Sequence, residues 1–470
     1  MQAPMPGDPE TERLLDDAQK RARTYIGSIA GRRVYPDEDT MAGLDAFDEP
    51  LPDSPTDPLA TLRLLDETGS PATVATTGGR YFGFVIGGAY PVAIAADWLA
   101  TAWDQAPGAV TVSPATTRIE AVAGRWTTEI LGLPSEAVTA FVTGASVGNL
   151  VGLAAARRHL LLRAGHDVEK HGLFGAPPLR VVVGAEGHST LFKALAILGL
   201  GRERVELVEA DAQGRIRADR LPPLDDRTIL CLQAGNVNSG AFDPFADIVP
   251  IARAARAWTH VDGAFGLWAA ASPRHAHLLV GVDGADSWVT DGHKWLNVPY
   301  DCGMLICRHP ATLRGAMAIE AAYLPEEAVA PKDLGPELSR RARAVPVWAV
   351  LRTLGRQGVA ELVDRCCAHA RRLAEGLETI GFTVHNQVVL NQIVATIGST
   401  DFTESVRGRV EADGIAWFGP THWAGRPALR FSVSSWATTA EDIDATLDAV
   451  ARAVAALRAE PASALPVAAG

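Results

Sequence analysis

The sequence predicts an α/β fold: a large, mostly parallel sheet with helices on both faces, followed by a smaller C-terminal α+β unit. Three observations predict it. Short apolar, β-branched runs alternate with helical stretches from about residue 141 to 307, the pattern of strands joined by covering helices. His188, Asn236, Asp262 and Lys294 all fall at or just after the ends of such runs, where open α/β sheets bind ligands. The chain's 470 residues exceed what one core normally organises, so more than one unit is expected.

The elements follow in order. Leu14, Leu15, Ala18, Ala22 and Ile26 recur at helical spacing within residues 11–30. Residues 36–58, rich in Pro and Asp, read as an extended arm, either a surface linker or a segment packed on a partner subunit. The run Gly78-Gly79-Arg80-Tyr81-Phe82-Gly83-Phe84 suits either backbone beside a ligand or interface, or a tight turn against core aromatics. Helices are expected at 91–104 and 115–131. Residues 141–150 pass from a β run through Gly144, Ala145 and Ser146 into a helix reaching about residue 162. Free N–H groups at a helix start, beside a hydroxyl, make a phosphate cradle, although structural turns of this type are commoner. The Gly-Lys-Ser/Thr ending of a Walker loop is missing.

Strands are expected at 179–183, 205–208, 228–233, 259–262, 288–290 and 303–307, with helices near 189–198 and 248–258. Residues 325–336 carry three prolines and a glycine and read as a mobile loop. Helices at 345–354, 359–378, 402–412 and 439–457, with strand-like runs at 382–385, 392–397 and 428–435, complete the second unit. The expected division is an N-terminal helix and arm (1–58), a large cofactor-binding domain (59–308), a connecting segment with the mobile loop (309–344) and a small domain (345–458). The Ala- and Pro-rich tail 459–470 reads as disordered.

Composition narrows the function. Hydrophobic residues at 47% and charged residues at 21% suit a soluble enzyme. A net charge of −12 leaves no basic excess for nucleic acid. Five cysteines without a CxxC pair suggest reduced thiols and a cytoplasmic setting. The polar first ten residues do not read as a signal peptide, and no apolar run is long enough to span a membrane.

The chemistry gathers in two stretches. Asp286-Ser287-Trp288-Val289-Thr290-Asp291-Gly292-His293-Lys294-Trp295 ends a β run and sets a lysine after a histidine. Trp258-Thr259-His260-Val261-Asp262-Gly263-Ala264-Phe265 ends the preceding run in an acid. A pyridine-aldehyde cofactor requires this pair. The amine forms the imine, and the acid holds the ring nitrogen protonated so that the ring accepts electrons. A lone lysine is more often a solvated surface residue, and a lone strand-end acid a turn former. Their shared placement with His188 argues for a site.

With His293-Lys294-Trp295-Leu296, Asp301-Cys302-Gly303, His260 to Phe265, Gly187-His188-Ser189 and Gly240-Ala241-Phe242-Asp243 in place, the chain resembles the pyridoxal-phosphate-dependent group II decarboxylases. These are the aromatic amino acid, histidine and glutamate decarboxylases and their bacterial relatives, and the likeness runs over about residues 12–458. It implies an aspartate-aminotransferase-type fold (fold type I), pyridoxal 5'-phosphate as cofactor, no metal, and a homodimer with active sites at the interface. It also implies residue roles. Lys294 would form the internal aldimine, Asp262 would pair with the pyridinium nitrogen, and His188 would stack on the ring and serve proton transfer. Ala264 would touch the other ring face, and Ala145 and Ser146 would bind the phosphate with help from His293. Asn236 stands where relatives carry a threonine near the cofactor hydroxyl. Arg430 matches a family arginine near the substrate carboxylate, which a guanidinium can grip with two hydrogen bonds.

The implied reaction is decarboxylation of an L-amino acid. Phe84 and Trp103, with Tyr81 and Phe82, are candidates for an aromatic substrate pocket, although aromatics in such segments are more often core. Many relatives deliver the final proton from a loop tyrosine, yet residues 326–344 contain no aromatic and Tyr323 precedes them. Alternatives are therefore proton delivery by His188, oxidative deamination to an aldehyde, an aldolase or other lyase reaction, or a cofactor-free scaffold.

Overall fold

Strand β4 (Thr228–Gln233) shows how the large sheet is built. Ile229 and Cys231 point to one helical layer, Leu230 and Leu232 to the other, and all four are buried. A strand covered on both faces has no solvent side, so it reads as a continuous apolar run. The computed structural model describes residues 7–318 and 330–460. Its large sheet holds β1 (Val138–Val142), β2 (Arg180–Gly184), β3 (Glu206–Val208), β4, β5 (Trp258–Asp262), β6 (Ser287–Asp291) and β7 (Gly303–Cys307), ordered β1-β7-β6-β5-β4-β2-β3. Within this sheet β7 runs antiparallel to both neighbours, and the remaining pairs are parallel. Helices Ala145–Arg163 and Ser189–Ile197 cover one face; Phe245–Ala254 and the long helix Ala344–Ile380 contribute to the other core. The strands of the central parallel block direct their C-terminal ends to one edge, and the helix starting at Ala145 opens there.

The second sheet is antiparallel: β8 (Thr383–Val384), β9 (Gln392–Thr396), β10 (Gly419–Trp423) and β11 (Arg426–Ser432), ordered β10-β11-β9-β8. Strand β10 was not expected. Gly-Pro-Thr-His-Trp has no alternating pattern, and pairing with β11 across a turn at Ala424 and Gly425 supplies what its sequence lacks. The two expected helices after residue 344 form one span, interrupted where Gly355 takes φ 58°.

Three expectations change. The arm is not wholly extended: helix Glu38–Ala42 and the 3₁₀ turn Gly43–Phe47 occupy it, started by Asp37 accepting from the Thr40 amide. The expected mobile loop lies partly outside the described residues, as does Tyr323. Its later part packs down, with Pro331, Lys332 and Asp333 buried and the Lys332 amide donating to the Gly108 carbonyl. The C-terminal helix extends to Ala459, and residues 461–470 of the expected tail lie outside the described residues. The Gly- and aromatic-rich run turns against core aromatics through Tyr81 and Phe82, while Phe84 stays exposed. Phe82 is buried, Tyr81 stacks on Trp417 at 5.0 Å, and a Cβ on Gly83 would sit 2.2 Å from the Trp417 ring. Among the described residues no helix is long and apolar enough to cross a membrane.

Candidate active site

At the C-terminal edge of the central strands lies a cavity of about 190 Å³. Lys294, Asp262 and His188 all line it, from three different strand ends. Lys294 sits just past β6, largely covered, with its Nζ 3.1 Å from Asp291 Oδ2. Asp262 ends β5; Oδ2 accepts from Asn149 Nδ2 at 3.0 Å and Oδ1 from the Ala264 amide at 3.2 Å. His188 caps helix Ser189–Ile197. Its Nδ1 accepts the Thr190 amide at 3.4 Å, with the Thr190 hydroxyl 2.8 Å away. The ring hydrogen therefore lies on Nε2. Burial holds His188 below the usual histidine range, so the imidazole is neutral.

Ala145 and Ser146, in the first turn of helix Ala145–Arg163, form one end of the cavity with His293. The Ala145 amide is already engaged, donating to Asp291 Oδ1 at 2.6 Å. His293 is oriented by its Nδ1–H donating to the Cys302 carbonyl at 2.9 Å, and Tyr300 stacks on its ring at 4.8 Å. Ala264 and Phe265 form a wall, together with Val237. An acceptor-only carboxylate, a primary amine, a neutral imidazole and a helix N-terminus on one small cavity form the donor set for a phosphorylated pyridine aldehyde.

Residues 72–396 match the family model described as the pyridoxal-dependent decarboxylase conserved domain. The chain belongs to this family. As a pyridoxal-dependent decarboxylase it takes pyridoxal 5'-phosphate as cofactor and acts as a carboxy-lyase on an L-amino acid. The decarboxylase is 26% identical to an aromatic-L-amino-acid decarboxylase of Bacillus atrophaeus, over 84% of this chain and 85% of that one. It is 29% identical to an L-2,4-diaminobutyrate decarboxylase of Rhizobium meliloti (strain 1021), over 76% and 74% of the two chains. The crystal structure of Oryza sativa TDC with PLP and tryptamine superposes with a TM-score of 0.89, at 24% identity, covering 97% of this chain and all of the other. The fold is type I, as expected.

Not every expected residue reaches the cavity of this decarboxylase. The Asn236 side chain folds its own loop: Oδ1 accepts the Asn238 and Ser239 amides at 2.9 and 3.1 Å. It is buried and does not line the cavity; Gln233 and Thr190 do. Phe84 and Trp103 lie outside it, at 59% and 43% exposure, Phe84 stacking on Trp417. Arg430, on β11, reaches the cavity's edge by donating to the Val237 carbonyl at 3.3 Å. Among the described residues it has no carboxylate partner, and burial lowers it from the usual arginine range.

Sequence reading missed Asp291 and Asn149. The signal for Asp291 is its position directly before Gly292-His293-Lys294. Asn149 stands one turn beyond Ser146 in an otherwise apolar helix face, and a fully buried amide there signals a partner.

Two consequences follow from this packing. Helix Ala145–Arg163 lies so close to the sheet that a Cβ on Gly152 would sit 2.7 Å from His260 Cε1. Gly152→Ala is expected to cost about 1–3 kcal/mol, as overpacking does, and a urea titration measures it; an unchanged midpoint would contradict the packing. Burial also depresses His260 from its usual 6.5 to about 4. A histidine depressed by folding contributes stability that is present above pH 6.5 and is lost as pH falls through 4, because the unfolded chain binds the proton first. The loss approaches about 3 kcal/mol. Denaturation midpoints across that window should fall more steeply for wild type than for His260→Gln; parallel curves would contradict this.

Proposed function

We propose that this chain decarboxylates an L-amino acid with an aromatic side chain, as a cytoplasmic homodimer with shared active sites. The observation that carries the reading is the convergence of Lys294, Asp262 and His188 on one cavity. When bound, pyridoxal 5'-phosphate supplies the electron sink for the breaking Cα–carboxylate bond. Asp262 would accept the hydrogen of the ring nitrogen. Lys294 would hold the cofactor through its aldehyde, and Asp291 Oδ2, 3.1 Å from Nζ, would steady the amine. His188, its hydrogen on Nε2 because Nδ1 is engaged by Thr190, would lie against the ring, and the small Ala264 would leave room for it. Ser146 and His293 would hold the phosphate. Arg430, a half-buried cation with one backbone acceptor, is suited to the substrate carboxylate.

The dimer is supported by apolar surface that a monomer rarely leaves bare. Trp98, Leu99 and Trp103 on helix Pro91–Trp103, and Val110 and Val112 beyond it, are all exposed, as is Phe84. Phe84 and Trp103 then serve a substrate pocket only across an interface. The cytoplasmic reading is supported by five buried, unpaired cysteines. Sedimentation should report a dimer, and the double variant Trp98→Glu, Leu99→Glu should yield inactive monomers; a monomeric, active wild type would overturn the dimer.

The reaction is tested on purified protein with a panel of amino acids, following carbon dioxide, amine, aldehyde and oxygen together. Equal release of carbon dioxide and amine from aromatic substrates is expected. Aldehyde with oxygen uptake would instead favour oxidative deamination, the reading that the aromatic-free stretch 326–344 supports. Carbon–carbon cleavage without carbon dioxide would favour a lyase of another kind.

A further inference from the structure

Trp258, His260 and Asp262 occupy alternate positions of β5 and so share one face of the strand. That face meets helix Ala145–Arg163 at Asn149 and, from β6, Ser287. Trp258 Nε1–H donates to Ser287 Oγ at 3.0 Å, and Ser287 Oγ lies 2.8 Å from His260 Nδ1. His260 Nε2 lies 2.9 Å from Asn149 Oδ1, and Asn149 Nδ2 donates to Asp262 Oδ2 at 3.0 Å. Trp258, Ser287, His260 and Asn149 are each at most 1% exposed, so no water competes.

The direction of every bond is forced. An ionised carboxylate only accepts, so Asn149 turns its amide N–H to Asp262 and its oxygen to His260. His260 must then carry its hydrogen on Nε2, and being neutral it accepts at Nδ1 from the Ser287 hydroxyl. The indole N–H at the far end only donates. All four hydrogen bonds therefore point toward Asp262, and aligned bonds in a dry interior polarise one another.

We propose that His260, acting through Asn149, is a positioning residue for Asp262: the one-way chain Trp258, Ser287, His260, Asn149 fixes the plane of the carboxylate and stabilises its charge where it meets the cofactor ring nitrogen. The proposal rests on the reading of Asp262 as that nitrogen's partner. It asks nothing of His260 in proton transfer, because the imidazole never reaches the cavity.

The test uses holoenzyme loaded with pyridoxal phosphate carrying ¹⁵N in the ring, read by the ring-nitrogen resonance and by cofactor affinity. His260→Phe and Asn149→Leu should move the resonance toward deprotonated pyridine and weaken cofactor binding about ten- to hundredfold, the range for losing a hydrogen bond to a charged group. His260→Gln places an amide donor near the lost Nε2–H and should retain most of both. Wild-type resonance and affinity in the folded Phe and Leu variants would overturn the proposal. So would equal damage from Gln and Phe, which would mean packing alone. If the Phe and Leu variants do not fold, Ser287→Ala decides: a smaller shift of the same sign is expected, and none overturns the chain. Asp262→Asn separates the two levels. It should move the resonance whatever His260 does, and an unmoved resonance would instead refute the pairing of Asp262 with the ring.

Discussion

Lys294→Ala is expected to end covalent retention of the cofactor, because the amine that forms the imine is gone, and to lower kcat by at least about 10²–10⁴-fold, no less than the loss of one positioned acid–base side chain costs. The lysine is largely covered, and its ammonium lies 3.1 Å from Asp291 Oδ2, which points it into the cavity that Asp262 and His188 share. Among the described residues no other lysine lines that cavity, so none of them takes over the aldehyde. Borohydride treatment followed by peptide mass spectrometry reads the effect directly. Wild type should gain the reduced cofactor on the peptide containing Lys294, and the variant should gain none. Labelling of the variant, or turnover near wild type, would refute the role assigned to Lys294. The cavity's remaining groups should still bind the cofactor non-covalently, so equilibrium dialysis should show weakened rather than absent binding.

The largest expected effect on stability lies away from the chemistry. Arg340 grips Glu120 through two hydrogen bonds of 2.9 and 2.5 Å, and both side chains are almost wholly buried, at 4% and 3% exposure. The pair fastens the segment after residue 330 to helix Pro114–Ile130. Removing one partner strands the other charge in the interior, and the usual cost is about 3–5 kcal/mol. Arg340→Ala should therefore lower the urea midpoint substantially. Replacing both residues with Met should be far milder, since packing then takes the place of a desolvated pair. A single variant as stable as the double would contradict this account.

Much of the site was legible in the sequence because its groups sit at strand ends. Lys294, Asp262 and His188 each terminate or follow an apolar run, and such runs are recognisable from composition alone. Arg430 was legible only through resemblance. Asn236 was misplaced because an asparagine just past a strand reads equally as a ligand group or a turn former. Its oxygen is in fact consumed by the Asn238 and Ser239 amides. Phe84 and Trp103 were placed in a pocket on residue type, yet both are exposed on the single chain.

The sequence alone determined the alternation that builds a parallel sheet, the burial of its strands, and the lysine and acid at their ends. These depend on local patterns of period two and 3.6, which a linear chain displays. Only the tertiary structure decided that Asn149 and His260 stand behind Asp262, that Asp291 holds both Lys294 and the Ala145 amide, and that β10 is a strand at all. Apart from the local Asp291–Lys294 pair, each of those depends on a hydrogen bond between residues that meet only when helix Ala145–Arg163 docks on β5 and β6, or when β10 folds back on β11. The geometry of such contacts is set by packing between elements and not by the pattern within any one of them.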